Sequence, residues 1–352
     1  MKEKLKKVLI TGVSGALGSR VVIDLLQNGF KVRALYRNKK SLDNFRRNIA
    51  YYTFSSEEIY SQIEWVEGDV TDYISILNAV EGIDIVCHCA ALVSFRAEDF
   101  QLLKGINVGG TANIVDACLE KGVKKICHIS SIAALGRDME GYITDEKSLF
   151  IPGKKHSGYS NSKYLSEMEV WRGIHEGLEC VILNPSVILS PGDWSSGNSG
   201  FYNSIYKGLR FYTHGSTGFV DGNDISWIII KLLDNDIWDK CVNERFVLNS
   251  SNLTYKEFFS KVAASLNLKA PDIKVSKLVL GIFWRVSYLF GKISGKPPVI
   301  TRETAKTSLR LTAYDGSKIT RRIGFNYKDI EDTITALGKM YLNSIAIKSK
   351  KQ

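Results

Sequence analysis

Val8-Leu9-Ile10-Thr11-Gly12-Val13-Ser14-Gly15-Ala16-Leu17-Gly18 is the stretch on which the fold turns. Val8–Thr11 is a short apolar run suited to a strand buried on both faces. Leu17, Val21 and Leu25 then recur at helical spacing until Gly29 supplies a left-handed stop. Between strand and helix, Gly12 permits a tight turn, Gly15 lets the backbone approach a pyrophosphate, and Gly18 lets helix and strand pack closely. The helix N-terminus offers free N–H groups and a partial positive charge to phosphates. Gly12, Ser14, Gly15, Ala16, Leu17 and Gly18 therefore form a candidate dinucleotide cradle.

Outward from this turn, β-rich runs alternate with helical patterns, which predicts an α/β fold with a doubly wound parallel sheet. The candidate strands are Val8–Thr11, Lys31–Tyr36, Ile63–Glu67, Ile83–His88, Lys125–Ile129 and Glu179–Leu183, with Arg245–Asn249 returning to the same sheet. Asn107 to Lys121 reads as a helix ended by Gly122. Tyr164, Met168 and Trp171 give the apolar face of another, and Asp224 to Leu233 a further one. Residues 190–220, rich in Gly, Ser and Asn, read as a long loop over a site. The expected division is residues 1–187 plus about 221–250 as the dinucleotide-binding domain, about 188–220 and 251–345 as a smaller, mostly C-terminal substrate lobe, and 346–352 as a basic tail.

The end of the second strand carries Tyr36-Arg37-Asn38, where an acidic residue would grip the ribose hydroxyls of NAD. An arginine there suits a 2′-phosphate, so NADP(H) is favoured and NAD(H) remains open. Asp69 and Val70 follow the third strand. Asp69 is placed either to accept from an adenine amino group or to cap the next helix. Ala90 and Ala91, after the fourth strand, are small enough for a cofactor to lie against their backbone.

Tyr159 and Lys163, in Tyr-Ser-Asn-Ser-Lys, fall on one helix face a turn apart. An ammonium beside a phenol stabilises the phenolate and lowers its pKa, so that Tyr159 can exchange a proton with a carbonyl or alcohol oxygen. Ser131 is the candidate hydrogen-bond donor to the same oxygen, and Asn107 the candidate water-mediated anchor of Lys163. Ser94 and Phe95 either line the substrate pocket or face the core. His214, in the aromatic run Phe211-Tyr212-Thr213-His214, either contacts substrate or sits exposed in a loop.

In combination these motifs resemble the extended short-chain dehydrogenase/reductases of the NAD-dependent epimerase/dehydratase family, over roughly residues 5–250. The string Val32-Arg33-Ala34-Leu35-Tyr36-Arg37 is similar to the dihydroflavonol reductase and 3β-hydroxysteroid dehydrogenase branch. The resemblance implies a Rossmann fold and a catalytic Ser131, Tyr159 and Lys163. It matches Asn107 to the family's Asn-Val-x-Gly-Thr string, sets Pro185-Ser186-Val187 beside the nicotinamide, and leads us to expect a homodimer through helices at 98–120 and 159–176. Sugar-nucleotide members usually carry an arginine before their Val-x-x-x-Asp segment. Here Gly218-Phe219-Val220-Asp221-Gly222-Asn223-Asp224 has none.

The net charge of +10 comes from scattered residues and from the ends (Lys2, Lys4, Lys6, Lys7; Lys348, Lys350, Lys351), with no aromatic-interleaved basic stripe, so no nucleic-acid partner is expected. The six cysteines lie mostly in apolar strand-like runs and read as reduced core thiols, and Cys87-His88-Cys89 is spaced too tightly for a metal site. Without a signal-like segment or a run of about 20 apolar residues, a cytoplasmic protein with no membrane span is expected. Leu278 to Phe290 suits a buried helix over the pocket or a weak interfacial contact. The expected function is reversible hydride transfer between a nicotinamide and a carbonyl or secondary alcohol of a small apolar or aromatic substrate. The rivals are an epimerase or dehydratase with transient hydride transfer and, remotely, a non-catalytic dinucleotide-binding regulator.

Overall fold

The computed structural model describes residues 6–53, 55–136, 143–153, 156–294 and 300–349; Lys2, Lys4 and residues 350–352 of the basic tail lie outside them. Its centre is a sheet of seven strands: β1 (Lys7–Thr11), β2 (Lys31–Tyr36), β3 (Glu64–Glu67), β4 (Ile85–His88), β5 (Lys125–Ile129), β6 (Glu179–Pro185) and β7 (Glu244–Leu248). Their order is β7-β6-β5-β4-β1-β2-β3, and every neighbouring pair is parallel. The direction of winding reverses between β1 and β4, which opens a crevice at the carboxyl ends of those strands.

Alternation along β1 divides the core. Val8 and Ile10 pack beneath helices α1 (Ala16–Gln27) and α4 (Gly222–Leu232). Leu9 faces α2 (Gly110–Lys121) and α3 (Gly158–His175) on the other side. A third cluster joins Leu189, Trp194, Tyr202 and Phe219 to Phe258 of α5 (Tyr255–Ser265) and Tyr341 of α7 (Ile330–Ser349). Ile319 and Phe325, far along the chain, return to the first cluster under the main sheet.

The structure corrects several boundaries. The third and fourth strands begin at Glu64 and Ile85, because the amides of Ile63 and Ile83 close turns onto the carbonyls of Tyr60 and Val80. The helix expected from Asn107 is already helical at Phe100–Leu103 and widens into a π turn over Lys104–Gly109 before α2. Residues 190–220 are not one long loop. They hold a helix, Gly200–Tyr206, and strands Phe211–Tyr212 and Ser216–Asp221. The latter pairs with Val187–Leu189 and Ser251–Thr254 in a small second sheet. The apolar run at 278–290 lies in α6 (Lys277–Ser294), but the buried packing over a pocket expected of it is not what the helix does, since most of its large apolar side chains are exposed.

Candidate active site

Gly12 stands at φ +73, and a Cβ there would meet the Ala90 nitrogen at 2.6 Å, so only glycine lets the tips of β1 and β4 come together. Gly18 is held against the turn itself, where a Cβ would collide with the Gly12 carbonyl oxygen. A Cβ on Gly15 would meet only that oxygen, at 3.3 Å, so its outer side is open. Gly15 also caps α1 without a side-chain bond, and the first turn of α1 carries no acid. Ala16 and Leu17 begin that turn. This open, donor-bearing helix end fits a pyrophosphate.

A cleft beside it is lined by Gly12, Ser14, Arg37, Asp69, Val70, Ala90 and Ala91, together with Leu35, Tyr36, Ser41, Gly68, Leu92 and Ile106. The candidate cofactor residues from four strand ends thus meet in one place. Arg37 is 61% exposed, and its guanidinium lies 3.9 Å from Asp69 Oδ2. Asp69 Oδ1 accepts from the Thr71 amide and hydroxyl, while the cap of the next helix is Asp72. Ser41, missed in the sequence, joins the cleft because the Asn38 side chain caps the helix Lys39–Ile49 by accepting from the Ser41 amide. Pro185 ends β6; Ser186 donates its amide to the Leu248 carbonyl, and Val187 starts the small second sheet. Pro185, Ser186 and Val187 do not line the cleft, nor do the catalytic candidates.

Ser157 caps α3, accepting from Ser160, and sets Tyr159 and Lys163 in its first two turns. Tyr159 is half-buried. Burial pushes its phenol above the usual value, against the lowering effect of a hydrogen bond with Ser131. The phenol lowered by Lys163 that the sequence suggested is therefore not found. Lys163 is fully buried and donates one Nζ hydrogen to the Ile129 carbonyl, 2.9 Å away at the end of β5. Burial lowers its own pKa to about 8, with Glu167 and Cys89 opposing. Phe95 meets the Tyr159 ring edge-on, with centroids 5.5 Å apart. Ser94 is turned to Asp99, and His214 is exposed between Phe211–Tyr212 and Ser216–Asp221.

Among the described residues Asn107 makes no direct hydrogen bond to Lys163. Its Oδ1 accepts from the Leu92 amide at 2.7 Å, and its Nδ2 donates to the Leu92 carbonyl and to Ser162 Oγ. Its carbonyl, within the π turn, also accepts from the Thr111 and Ser166 hydroxyls. Thr111 in turn meets His88 Nε2, and His88 Nδ1 meets Thr11 Oγ1 at 2.8 Å. With Thr111 donating to Asn107, His88 is read as the Nε2–H tautomer. Burial and the Lys163 charge hold it neutral, with a pKa down at about 3. Behind Lys163, buried Glu167 accepts from Ser130 Oγ at 2.6 Å and from Asn184 Nδ2, and pairs with Arg245 at 3.4 Å. Of the serine pair, then, Ser130 faces Glu167 and Ser131 faces Tyr159. Glu167 lies at four-residue spacing from Lys163, a signal the sequence did carry.

The model of the NAD dependent epimerase/dehydratase family matches residues 8–217. A Synechocystis protein named as a dihydroflavonol 4-reductase is 24% identical over 97% of this chain and 96% of its own length. Sterol demethylase protein B of Methylococcus capsulatus is 30% identical over 70% of each chain. The crystal structure of gox2253 is 27% identical, with a TM-score of 0.79 over 96% of this chain and 98% of that one.

Proposed function

This chain belongs to the NAD-dependent epimerase/dehydratase family and is an NAD(P)-dependent oxidoreductase, and from that premise we propose that it is an NADPH-dependent reductase of a carbonyl on a flat, apolar, ring-bearing substrate. The observation that carries this reading is the set of Tyr159, Ser131 and Phe95 at the start of α3. The raised phenol is protonated at neutral pH, which suits donation to a carbonyl oxygen. Ser131 orients that oxygen, and the Phe95 ring, edge-on to Tyr159, offers a flat apolar contact. Phe100, partly exposed and packed against Gly158 in the first turn of α3, adds apolar surface near the same place. Relatives named for a dihydroflavonol and a sterol support a ring system of this kind.

The turn Gly12–Gly18 would hold the pyrophosphate, Arg37 and Ser41 the 2′-phosphate, and Lys163 and Pro185–Val187 the nicotinamide ribose and ring. The bound nicotinamide supplies the hydride. What the protein adds is a positioned proton donor, a buried cation one turn behind it, and a water-poor apolar wall. Residues 188–220 and 251–345 would form the substrate lobe.

The decisive assay follows loss of NADPH absorbance, with NADH in parallel, against 3-ketosteroids, flavanonols and simple aldehydes. Turnover with at least one ring ketone, abolished in Tyr159→Phe, is the expected result. Arg37→Asp should weaken NADPH relative to NADH by roughly ten- to a hundredfold, the loss of one or two charge-assisted bonds. Tight cofactor binding without net oxidation of NADPH by any carbonyl would sink the reductase reading.

A further inference from the structure

Helix α6 (Lys277–Ser294) touches the rest of the molecule along a narrow face, through Leu280, Gly281, Trp284 and Ser287. The only substantial packing partner of α6 among the described residues is the short helix Arg302–Thr307. Leu280 is 5% exposed, whereas Leu278 is 82%, Ile282 64% and Leu289 59% exposed. Val279, Phe283 and Val286 widen the same outward face. A monomeric protein rarely leaves so continuous an apolar surface to water.

The charge pattern selects the occupant. Residues 273–302 hold six Lys or Arg and no Asp or Glu. Arg285 lies over the Trp284 ring and Lys292 over the Tyr288 ring, so both cations flank the apolar face on aromatic supports. A second copy of the chain would bring the same uniformly cationic segment against itself. A lone convex helix also offers a peptide no groove. An anionic bilayer matches both features, with acyl chains for the apolar face and headgroup phosphates for the flanking cations. The helix is too short and too charged to span: among the described residues no helix is long and apolar enough to cross a membrane.

We infer that α6 lies in the plane of an anionic lipid surface and docks the enzyme there. The inference is independent of the reductase reading, since it concerns a face that carries none of the candidate catalytic residues.

The test is flotation of the full chain with vesicles of phosphatidylcholine alone and of phosphatidylcholine with phosphatidylglycerol. The protein should float with the anionic vesicles and largely stay behind with the neutral ones. Ile282→Ser, Phe283→Ser and Leu289→Ser combined should abolish flotation without lowering the melting temperature, because all three side chains are exposed. Arg285→Gln with Lys292→Gln should weaken anionic binding by about fivefold per charge removed. Protein that remains in solution with both vesicle types overturns the inference. So does flotation that survives the triple variant, or a dimer in size-exclusion chromatography that the triple variant dissociates in the absence of lipid binding.

Discussion

Lys163 is the residue on which the chemistry is most finely balanced. It is fully buried at the foot of the Tyr159 turn, and burial draws its pKa down. Glu167, itself held by Ser130, Asn184 and Arg245, opposes that loss. With Lys163 at about 8, the cationic form dominates below that pH and disappears above it. If catalysis needs the cation, kcat/KM for reduction falls as pH rises through about 8. Glu167→Gln removes the opposing charge, so this limb should move to lower pH by roughly one unit, with the kcat of the fully protonated form largely kept. Lys163→Arg should move it upward out of the accessible range. A limb that stays at the same pH in both variants would show that Lys163 is not the titrating group. Of these residues, Tyr159, Lys163 and Ser131 were legible because their spacing and order are themselves the signal. Glu167, although its spacing from Lys163 was visible, and His88 were given no role, since what each does depends on its burial and on the partners that folding brings to it.

At the scale of elements, legibility follows how local the cause is. The glycine turn, the stop of α1 at Gly29 and that of α2 at Gly122 were all readable, because the left-handed backbone there is set by one residue. The π turn at Lys104–Gly109 was not, because the partners of Asn107 there, Ser166 at its carbonyl and Leu92 at its side chain, lie on other segments of the chain. The short strands are equally opaque. Phe211–Tyr212 is a strand only because Ile273–Lys274 lies beside it, and Ile143–Thr144 only because of Ala313–Tyr314. Two residues carry no periodicity. The glycines at the two ends of α1 yield a sharp prediction. Gly18→Ala forces α1 away from the Gly12 carbonyl and should cost about 1–3 kcal/mol, the usual range for overpacking, together with a weakened cofactor affinity. Gly29→Ala meets no atoms within 4 Å but must hold φ +80, so it should cost only about 1 kcal/mol, and cofactor binding should be unchanged. Thermal melts and fluorescence titration with NADPH on the two variants separate the effects. Equal losses of affinity would remove Gly18 from its assigned place.

Across the whole molecule, the C-terminal third is tied back to the sheet by contacts that no local pattern announces. Ile319 and Phe325 enter the core under β1, Lys318 and Arg322 pair with Glu244 at the sheet edge, and Thr333 donates to buried Asp221. Asp224 makes a further tie, and one that depends on pH. It sits in the first turn of α4, almost wholly buried, and accepts the Lys328 amide at 3.0 Å. Burial, helped by the neighbouring Asp221 charge, lifts its pKa from 3.8 to about 6. Between those two values the folded protein keeps a proton that the unfolded chain has released. Stability therefore falls as pH rises from about 4 to about 6, and above that window the ionised carboxylate, partly screened by solvent, costs about 1–2 kcal/mol. Asp224→Asn keeps an oxygen for the Lys328 amide and removes the charge. It should stabilise the protein by about 1–2 kcal/mol at pH 7.5 and by almost nothing at pH 4. Urea unfolding of both proteins at the two pH values measures the difference directly, and the comparison cancels every group they share. A gain at pH 4 as large as the gain at pH 7.5 would show that the asparagine acts through packing, and that the tie between α4 and the C-terminal segment does not depend on the state of this carboxyl.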